Sequence, residues 1–235
     1  MILTYLRVFL IGLYTVICSI VVLIITAVDR SFTFYFWMSR IFGNGVLRIS
    51  GIKLKVEIDP SIDPHGTYVY VSNHSSMFDI PAIMAAVPTR ASIVFKKELA
   101  RIPFFGWCLT TGPYILIDRQ NPEKAMGSIG KAKKMMAEKK VSVILFAEGT
   151  RSLTGDVQPF KRGAFYLAAR VNYPIVPVSV SGTAKILPKG KLNIRPGTIT
   201  ISFASPIETT SVTNKKEEVE LMEKVREIVI LNKKD

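Results

Sequence analysis

The distribution of hydrophobic and polar residues divides the chain into two parts. Residues 8–28 (VFLIGLYTVICSIVVLIITAV) contain no charged side chain, and about 20 helical residues suffice to cross the hydrocarbon core of a bilayer. Beyond residue 50, short β-branched runs alternate with longer segments of helical periodicity. The pattern predicts a membrane-anchoring helical segment, residues 1–47, followed by a globular α/β domain, residues 48–235.

The anchoring segment is compatible with two membrane topologies. In one, residues 8–28 span the bilayer once, and the aromatic stretch 31–38 (SFTFYFWM) lies at the interface, where aromatic residues concentrate. In the other, residues 3–27 and 31–47 form a monotopic helical hairpin in one leaflet. A signal peptide is disfavoured because the apolar run is long and only Arg7 precedes it. A buried core helix is the remaining alternative.

The globular part has the pattern of a largely parallel, mixed sheet flanked by helices, because its strands are separated by helical segments. Strands are predicted at residues 53–58, 67–72, 91–95, 114–117, 142–147, 175–181 and 198–203. Helices are predicted at residues 80–86, 122–140, 163–171 and 215–231. Alternation in 53–58 indicates an edge strand, whereas the continuous apolar run in 142–147 indicates a central one. Ligands of such sheets bind beyond the carboxyl ends of the strands.

Composition and charge narrow the functional class. The 235 residues are 49% hydrophobic and 21% charged, which excludes a disordered chain and disfavours a multi-span membrane protein. The net charge is +13, and residues 90–200 carry it with 19 basic and 6 acidic side chains. A basic block suits nucleic acid, anionic lipid or a phosphorylated substrate, unless it is an ordinary solvated surface. The two cysteines form neither a metal cluster nor a disulfide framework.

The first candidate chemical motif follows the predicted strand 67–72. Asn73, His74 and Asp79 lie where the chain leaves a strand and enters a helix. A carboxylate bonded to one imidazole nitrogen fixes the tautomer and makes the other nitrogen a better base. The alternatives are a structural histidine and an Asp79 that caps the helix, with Pro81 in its first turn.

The second candidate motif follows the predicted strand 142–147. The turn at Gly149 and Thr150 offers backbone N–H groups to an anion, and Arg151 adds a guanidinium that suits phosphate oxygens. Arg119 follows the predicted strand 114–117 and is expected at the same sheet edge. A single arginine in such a position is usually a surface residue, but two beside His74 favour an anion site.

These motifs carry a family resemblance. The spacing Asn73-His74-x4-Asp79 resembles the signature of the glycerolipid acyltransferases. Further blocks follow in the order of the branch that acylates 1-acylglycerol 3-phosphate: residues 96–106 (KKELARIPFFG), 112–119 (GPYILIDR), 146–152 (FAEGTRS) and 176–182 (VPVSVSG). The resemblance extends over about residues 65–185 and includes the apolar N terminus. The spacing alone is a weak signal, whereas all the blocks in order make the resemblance strong.

The resemblance implies an enzyme of phospholipid biosynthesis. It would move a fatty acyl group from a thioester of acyl carrier protein or coenzyme A to the sn-2 hydroxyl of lysophosphatidic acid. The product would be phosphatidic acid, formed at the cytoplasmic face of a membrane. No metal, no cofactor beyond the acyl thioester and no nucleic acid would be involved.

The resemblance also implies a role for each candidate residue. His74 would be the base, and Asp79 would orient it. The substrate phosphate would bind a basic set with its turn: Lys97, Arg119, Gly149, Thr150 and Arg151. Three further residues would orient the substrate or support the structure: Asn73, Glu148 and Pro177.

Other functions use the same motifs. An acyltransferase for glycerol 3-phosphate or another lysolipid would share them. Ser75 and Ser76 raise the alternative of an acyl-enzyme. A non-catalytic, membrane-anchored module that binds anionic lipid is the alternative from another class, and such a module would tolerate His74→Ala. A nucleic-acid binder is disfavoured because the aromatic residues are densest at the N terminus, outside the basic block.

Overall fold

The computed structural model describes residues 2–29, 31–117, 122–210 and 212–234. Within these ranges lies one seven-stranded sheet. Its strands are β1 (Ile52–Ile58), β2 (Val69–Ser72), β3 (Ala91–Lys96), β4 (Ile115–Ile117), β5 (Ser142–Phe146), β6 (Ile175–Ser181) and β7 (Gly197–Phe203). All seven predicted strands are therefore confirmed, with bounds that shift by two residues or fewer.

The helices lie before the sheet in the chain, against its faces and within the connections between strands. They are α1 (Ile2–Thr26), α2 (Thr33–Ile49), α3 (Asp79–Ala86), α4 (Phe105–Thr111), α5 (Pro122–Lys139), α6 (Gly163–Val171), α7 (Thr183–Ile186) and α8 (Lys215–Leu231). A 3₁₀ turn occupies Lys97–Arg101. The four helices predicted in the α/β domain are confirmed as α3, α5, α6 and α8. The short helices α4 and α7 were not predicted, because fewer than eight residues show no clear helical period.

The order of strands in the sheet is β1-β7-β6-β2-β5-β3-β4. β6 and β7 pair antiparallel, and every other neighbouring pair is parallel. The sheet is therefore mixed, as predicted, with β1 at one edge and β5 in its interior. Because β2 to β6 all run the same way, their carboxyl ends share one edge, which we call the carboxyl edge.

The sheet has a hydrophobic core on each face. Successive β2 residues point to opposite sides, so Tyr70 belongs to one cluster while Val69 and Val71 belong to the other. The first cluster packs under α2 and α3, and the second contains Met136 of α5 and Phe165 of α6. Each such fully buried side chain stabilises the fold by about 1.5–3 kcal/mol relative to an exposed one.

The two N-terminal helices form an antiparallel hairpin against the domain. The Tyr14 hydroxyl of α1 donates to the carbonyl of Ile41 in α2 at 3.0 Å. α1 is long and apolar enough to cross a bilayer, and only 17% of its most apolar 18-residue stretch is buried. α2 packs on α3 instead, and it buries Tyr35 and Phe36 while Trp37 stays exposed. Only part of the aromatic stretch 31–38 is therefore available to a membrane interface.

Gly43 sets the close approach of α2 to α3. A Cβ atom at this position would lie 2.4 Å from the carbonyl oxygen of Pro81 and 2.9 Å from the backbone nitrogen of Ala85. Both neighbours are backbone atoms of α3, so they cannot move aside as a flexible side chain would. A larger residue must push the two helices apart.

We expect Gly43→Ala to lower the free energy of unfolding by about 1–3 kcal/mol, the usual cost of overpacking. The measurement is thermal unfolding in a neutral detergent. Gly12→Ala is the matched control, since a Cβ at this exposed helical position meets nothing within 4 Å. Alanine exceeds glycine in helix propensity, so the control should unfold at or above the wild-type temperature. Equal unfolding temperatures for both variants would contradict the close-approach argument.

Candidate active site

The sequence motif forms a compact pair at the carboxyl edge. β2 ends at Ser72, and the chain turns over residues 73–78 before α3 begins at Asp79. This turn brings Nδ1 of His74 to 2.6 Å from Oδ2 of Asp79. The Asp79 side chain is fully buried, whereas that of His74 is 17% exposed. The imidazole is therefore accessible, and the carboxylate is shielded from water.

The donors around Asp79 determine the tautomer of His74. Oδ2 of Asp79 also accepts the backbone N–H groups of Ser75 at 2.7 Å and Ser76 at 2.8 Å. Because this oxygen acts as an acceptor, Nδ1 of His74 is the donor, and Nε2 carries the free lone pair. The helix-cap interpretation of Asp79 is wrong. Phe78 occupies the N-cap of α3, and the Asp79 carboxylate turns back to the preceding loop.

The loop after β5 holds His74 from the other side. Phe146 stacks on the imidazole, with ring centroids 4.2 Å apart and an interplanar angle of 25°. The His74 N–H donates to Oε1 of Glu148 at 3.1 Å, and the Ser152 N–H donates to the His74 carbonyl at 2.8 Å. These contacts fix both the ring and the backbone of His74.

Glu148 lies buried beneath this loop, with 2% of its surface exposed. Burial raises the pKa of Glu148 to about 7, while hydrogen bonds from the backbone of His74 and Gln158 partly oppose the rise. Its Oε2 has no hydrogen-bond partner among the described residues. The Glu148 carboxyl therefore contacts the candidate base through the backbone N–H of His74, which suits a supporting role.

Asn73 fastens the loop to β6. Its amide nitrogen donates to the carbonyl of Val180 at 2.9 Å, and its amide oxygen accepts the Val180 N–H at 2.8 Å. The Ser75 hydroxyl pairs with that of Thr183 at 2.9 Å, and the Ser76 hydroxyl donates to the Leu187 carbonyl at 2.8 Å. These polar groups are all engaged within the protein.

Pro177 lies away from the carboxyl edge, in the interior of β6. It is in register with Val71 of β2, and its carbonyl accepts the N–H of Ala204 at 3.0 Å. Of the two roles predicted for Pro177, its place within the sheet fits the structural one.

The turn after β5 is surrounded by basic side chains. Gly149 has a φ of +73°, and a Cβ there would meet the Lys161 side chain at 2.9 Å. Nζ of Lys189 donates to the Arg151 carbonyl at 2.7 Å and to the Thr150 hydroxyl at 3.3 Å. The Arg151 side chain is half-buried. A guanidinium in this position suits the oxygens of a phosphate.

Two further residues, Lys97 and Arg119, were predicted to bind the phosphate. Lys97 opens the 3₁₀ turn directly after β3, so it belongs to the carboxyl edge, and it is half-buried. Arg119 lies outside the described residues. Lys161 and Lys189 were missed by the sequence analysis because neither directly follows a strand. Within the described ranges, no three His, Cys, Asp or Glu side chains are grouped as metal ligands.

An apolar cavity of about 80 Å³ lies next to the start of α3, the helix that begins at Asp79. It runs between α1, α2 and α4 on one side and the sheet on the other, and its lining includes Val22, Met38, Phe95 and Leu109. Ile80, which also lines it, directly follows Asp79 in the chain. The candidate base and the cationic turn thus share the carboxyl edge, and the apolar cavity adjoins the helix that carries Asp79.

Relatives with similar sequences carry one name. A protein from Cocos nucifera named 1-acyl-sn-glycerol-3-phosphate acyltransferase is 39% identical over 141 residues, covering 60% of this chain and 46% of that relative. A protein of the same name from Limnanthes douglasii is 37% identical over 174 residues, covering 74% of this chain and 61% of the relative. The chain spans less than two thirds of the length of these relatives.

A solved structure and a family model complete the comparison. The crystal structure of the 1-acyl-sn-glycerophosphate acyltransferase PlsC from Thermotoga maritima superimposes with a TM-score of 0.82 at 26% identity, covering 98% of this chain and 92% of that one. The family model described as Acyltransferase matches residues 53–181, which include His74, Asp79 and Arg151. Because that match exceeds half of the chain, this protein belongs to the acyltransferase family.

Proposed function

We propose that this protein transfers a fatty acyl group from a thioester to the sn-2 hydroxyl of 1-acylglycerol 3-phosphate, forming phosphatidic acid in phospholipid biosynthesis. The observation that carries the proposal is the buried Asp79 carboxylate bonded to Nδ1 of an accessible His74. The cationic turn at Arg151 provides a surface that is complementary to a phosphate. The names of the two plant relatives support the same acceptor.

In the proposed mechanism, His74 acts first as base and then as acid. Nε2 takes the proton of the acceptor hydroxyl as its oxygen attacks the thioester carbonyl. Asp79 stabilises the imidazolium through the Nδ1 hydrogen bond, as in a serine-hydrolase triad with the substrate hydroxyl replacing the enzyme serine. The tetrahedral intermediate then collapses, the C–S bond breaks, and the thiolate leaves with the proton from Nε2.

This direct transfer needs no acyl-enzyme. Ser75 and Ser76 directly follow His74, but their hydroxyls bond to Thr183 and to the Leu187 carbonyl. Neither hydroxyl bonds to the imidazole, and Nε2 is the nitrogen left for a substrate. The two serines therefore act as fasteners of the loop in this proposal.

The acceptor phosphate is proposed to bind the Arg151 guanidinium at the Gly149–Thr150 turn. The Gly149 N–H donates to the Phe146 carbonyl at 3.3 Å, so Gly149 shapes the turn through its φ of +73°. Lys97 and Arg119 remain predicted phosphate ligands from the sequence. Lys161 and Lys189 add positive charge around the same turn. Glu148 and Asn73 support the loop that carries His74.

The acyl chains are proposed to stay in the membrane, on the cytoplasmic side. α1 is tied to the domain near its start, where the Arg7 guanidinium donates to the carbonyl of Ile194 at 3.1 Å. Farther along, Cys18 and Val22 are buried against the domain. A helix held along the domain cannot cross the bilayer without drawing charged surface into hydrocarbon. This attachment favours the one-leaflet hairpin over the single span.

The defining experiment is acyl transfer on vesicles with wild type and His74→Ala. Lysophosphatidic acid and glycerol 3-phosphate compete as acceptors, and both thioester carriers are supplied. We expect phosphatidic acid from lysophosphatidic acid, and a loss of about 10²–10⁴-fold in rate without the base. His65→Ala, which removes the other histidine, should retain the wild-type rate.

Two other outcomes of that assay would contradict the proposed acceptor or the proposed catalysis. Product from glycerol 3-phosphate would keep the mechanism and change the acceptor. Tight vesicle binding without any turnover would instead favour the non-catalytic lipid-binding module.

Arg151→Ala tests the phosphate site. We expect the KM for lysophosphatidic acid to rise about 10–100-fold, the usual effect of losing a charged hydrogen bond, while the KM for the acyl donor changes little. Steady-state kinetics with each substrate varied in turn makes the measurement. Arg170→Ala, an exposed arginine that stacks on Tyr166, is the control. Equal increases for donor and acceptor would indicate a structural role for Arg151.

Glu148→Gln tests the buried carboxyl. The folded protein keeps this proton until about pH 7, whereas an ordinary glutamate loses it near its usual pKa of 4.5. The unfolded state therefore binds fewer protons between these values, and stability falls as pH rises through that window. The variant should show a flatter dependence of unfolding free energy on pH.

Chemical unfolding at several pH values measures this difference. Glu220→Gln removes an exposed glutamate of α8 and should keep the wild-type dependence. Parallel curves for wild type and Glu148→Gln would rule out a raised Glu148 pKa.

A further inference from the structure

A second cavity lies at the opposite edge of the sheet from His74. Its volume is about 370 Å³, and it is lined by the start of α2 and by the segment that leads into β3. Arg90 immediately precedes β3, whereas Lys97 follows that strand at the carboxyl edge. The cavity therefore lies about one strand length from the carboxyl edge, although its lining shares Ser39, Met84 and Tyr114 with that of the apolar cavity. Its arginines take no part in the proposed mechanism.

Two arginines line this cavity, and each is held by a single terminal nitrogen. Nη2 of Arg40 donates to the carbonyls of Val87 and Pro88. Nη2 of Arg90 donates to the Ser31 carbonyl at 3.0 Å, and its guanidinium lies 5.2 Å from the centre of the Phe36 ring. These contacts fix both guanidinium groups while leaving other N–H donors on each.

One of those donors needs an acceptor. Nε of Arg90 is buried and has no hydrogen-bond partner among the described residues. A buried donor without a partner is costly, and such groups in folded proteins usually meet a protein atom, water or a ligand. Two fixed guanidinium groups around one cavity suit the oxygens of a phosphate.

The nearby carboxylate does not cancel this charge. Asp29 accepts the N–H groups of Ser31 at 2.9 Å and Phe34 at 3.0 Å, at the start of α2. The hydrogen bonds from Ser31 and Phe34, together with the charge of Arg90, lower the pKa of Asp29. Asp29 thus offsets part of the charge of Arg90, whereas Arg40 donates only to the backbone carbonyls of Val87 and Pro88 among the described residues.

Exposed apolar side chains occur at the end of α1 and in the connection to α2, where the Ser31 carbonyl accepts Arg90 of the cavity. Ile24 in α1 and Val28 just after it are 66% and 84% exposed, and Trp37 of the cavity lining is 55% exposed. A soluble anion would gain nothing from this surface. A phosphate that carries acyl chains would place its headgroup on the arginines and its chains against these side chains.

We propose that this cavity binds the phosphate headgroup of an anionic glycerophospholipid. Its volume is in the lower part of the range for small-ligand sites, about 300–1,000 Å³, and therefore suits a headgroup while the chains remain outside. The inference goes beyond the proposed acyl transfer and does not depend on it, because neither Arg40 nor Arg90 has a role in that reaction.

Trp37 provides a direct reporter of this cavity. The chain has two tryptophans, so Trp107→Phe leaves Trp37 as the single fluorophore. The protein in neutral detergent is titrated with short-chain phosphatidic acid, short-chain phosphatidylcholine and inorganic phosphate. We expect a saturable change with phosphatidic acid and at least about tenfold weaker binding of the other two. Inorganic phosphate binding as tightly as the lipid would overturn the lipid assignment.

Charge variants separate this site from general electrostatics. Arg40→Gln combined with Arg90→Gln should weaken phosphatidic acid binding at least about tenfold. Lys53→Gln combined with Lys55→Gln removes the same charge from exposed positions of β1 and should change it less than about twofold. Equal losses in both double variants would overturn the proposal.

Two single substitutions at Thr33 test the same cavity with less risk that the variant misfolds. Thr33→Glu places a negative charge at the cavity and, at the first residue of α2, favours the helix. It should abolish the Trp37 response, whereas Thr33→Gln should keep it. Arg151→Ala should also keep it, so that failure at this cavity and failure of the proposed active site give different results. Loss of the response in Arg151→Ala would mean that Trp37 senses the active site, which would refute the second site.

Discussion

The organisation of the active site depends on one carboxylate oxygen. Oδ2 of Asp79 accepts three donors, the imidazole of His74 and the backbone N–H groups of Ser75 and Ser76. These hydrogen bonds hold His74 and Asp79 together across the loop. On a continuous helix, two residues five positions apart would lie on different faces. The hydrogen bond between His74 and Asp79 also determines which imidazole nitrogen faces outward. The proposed base is therefore prepared by the protein before any substrate arrives.

The parallel strands of the sheet bring further residues to the same edge. β2 delivers His74, β5 delivers Glu148 and Arg151, β3 delivers Lys97, and the residues after β6 bind the loop serines. Each segment is short, but all leave the sheet at one edge. The antiparallel β7 and its neighbour β1 contribute no residue to the site. They extend the sheet towards the start of α1, where Arg7 attaches the N-terminal hairpin to the domain.

The sequence allowed prediction of the elements and of the chemistry at strand ends, for definite physical reasons. β-branched runs bounded by turns identify buried strands, and residues at their carboxyl ends necessarily come close together. Side-chain partners across long separations have no such local signal. The pairing of Asn73 with Val180, the burial of Glu148 and the position of Lys161 over Gly149 all depend on tertiary packing. The helix-cap expectation for Asp79 failed for the same reason, since the loop offered competing donors.

The pairing of Asn73 with Val180 has a consequence for motion. The side-chain amide repeats the donor and acceptor pattern of a peptide group, and so continues the β2–β6 ladder one step past the end of β2. A loop joined to central strands in this way cannot open by itself, because local opening would break sheet hydrogen bonds as well. His74 therefore shares the cooperative unit of the core. We therefore expect motion that admits a substrate to involve neighbouring surface loops and not the loop that carries His74.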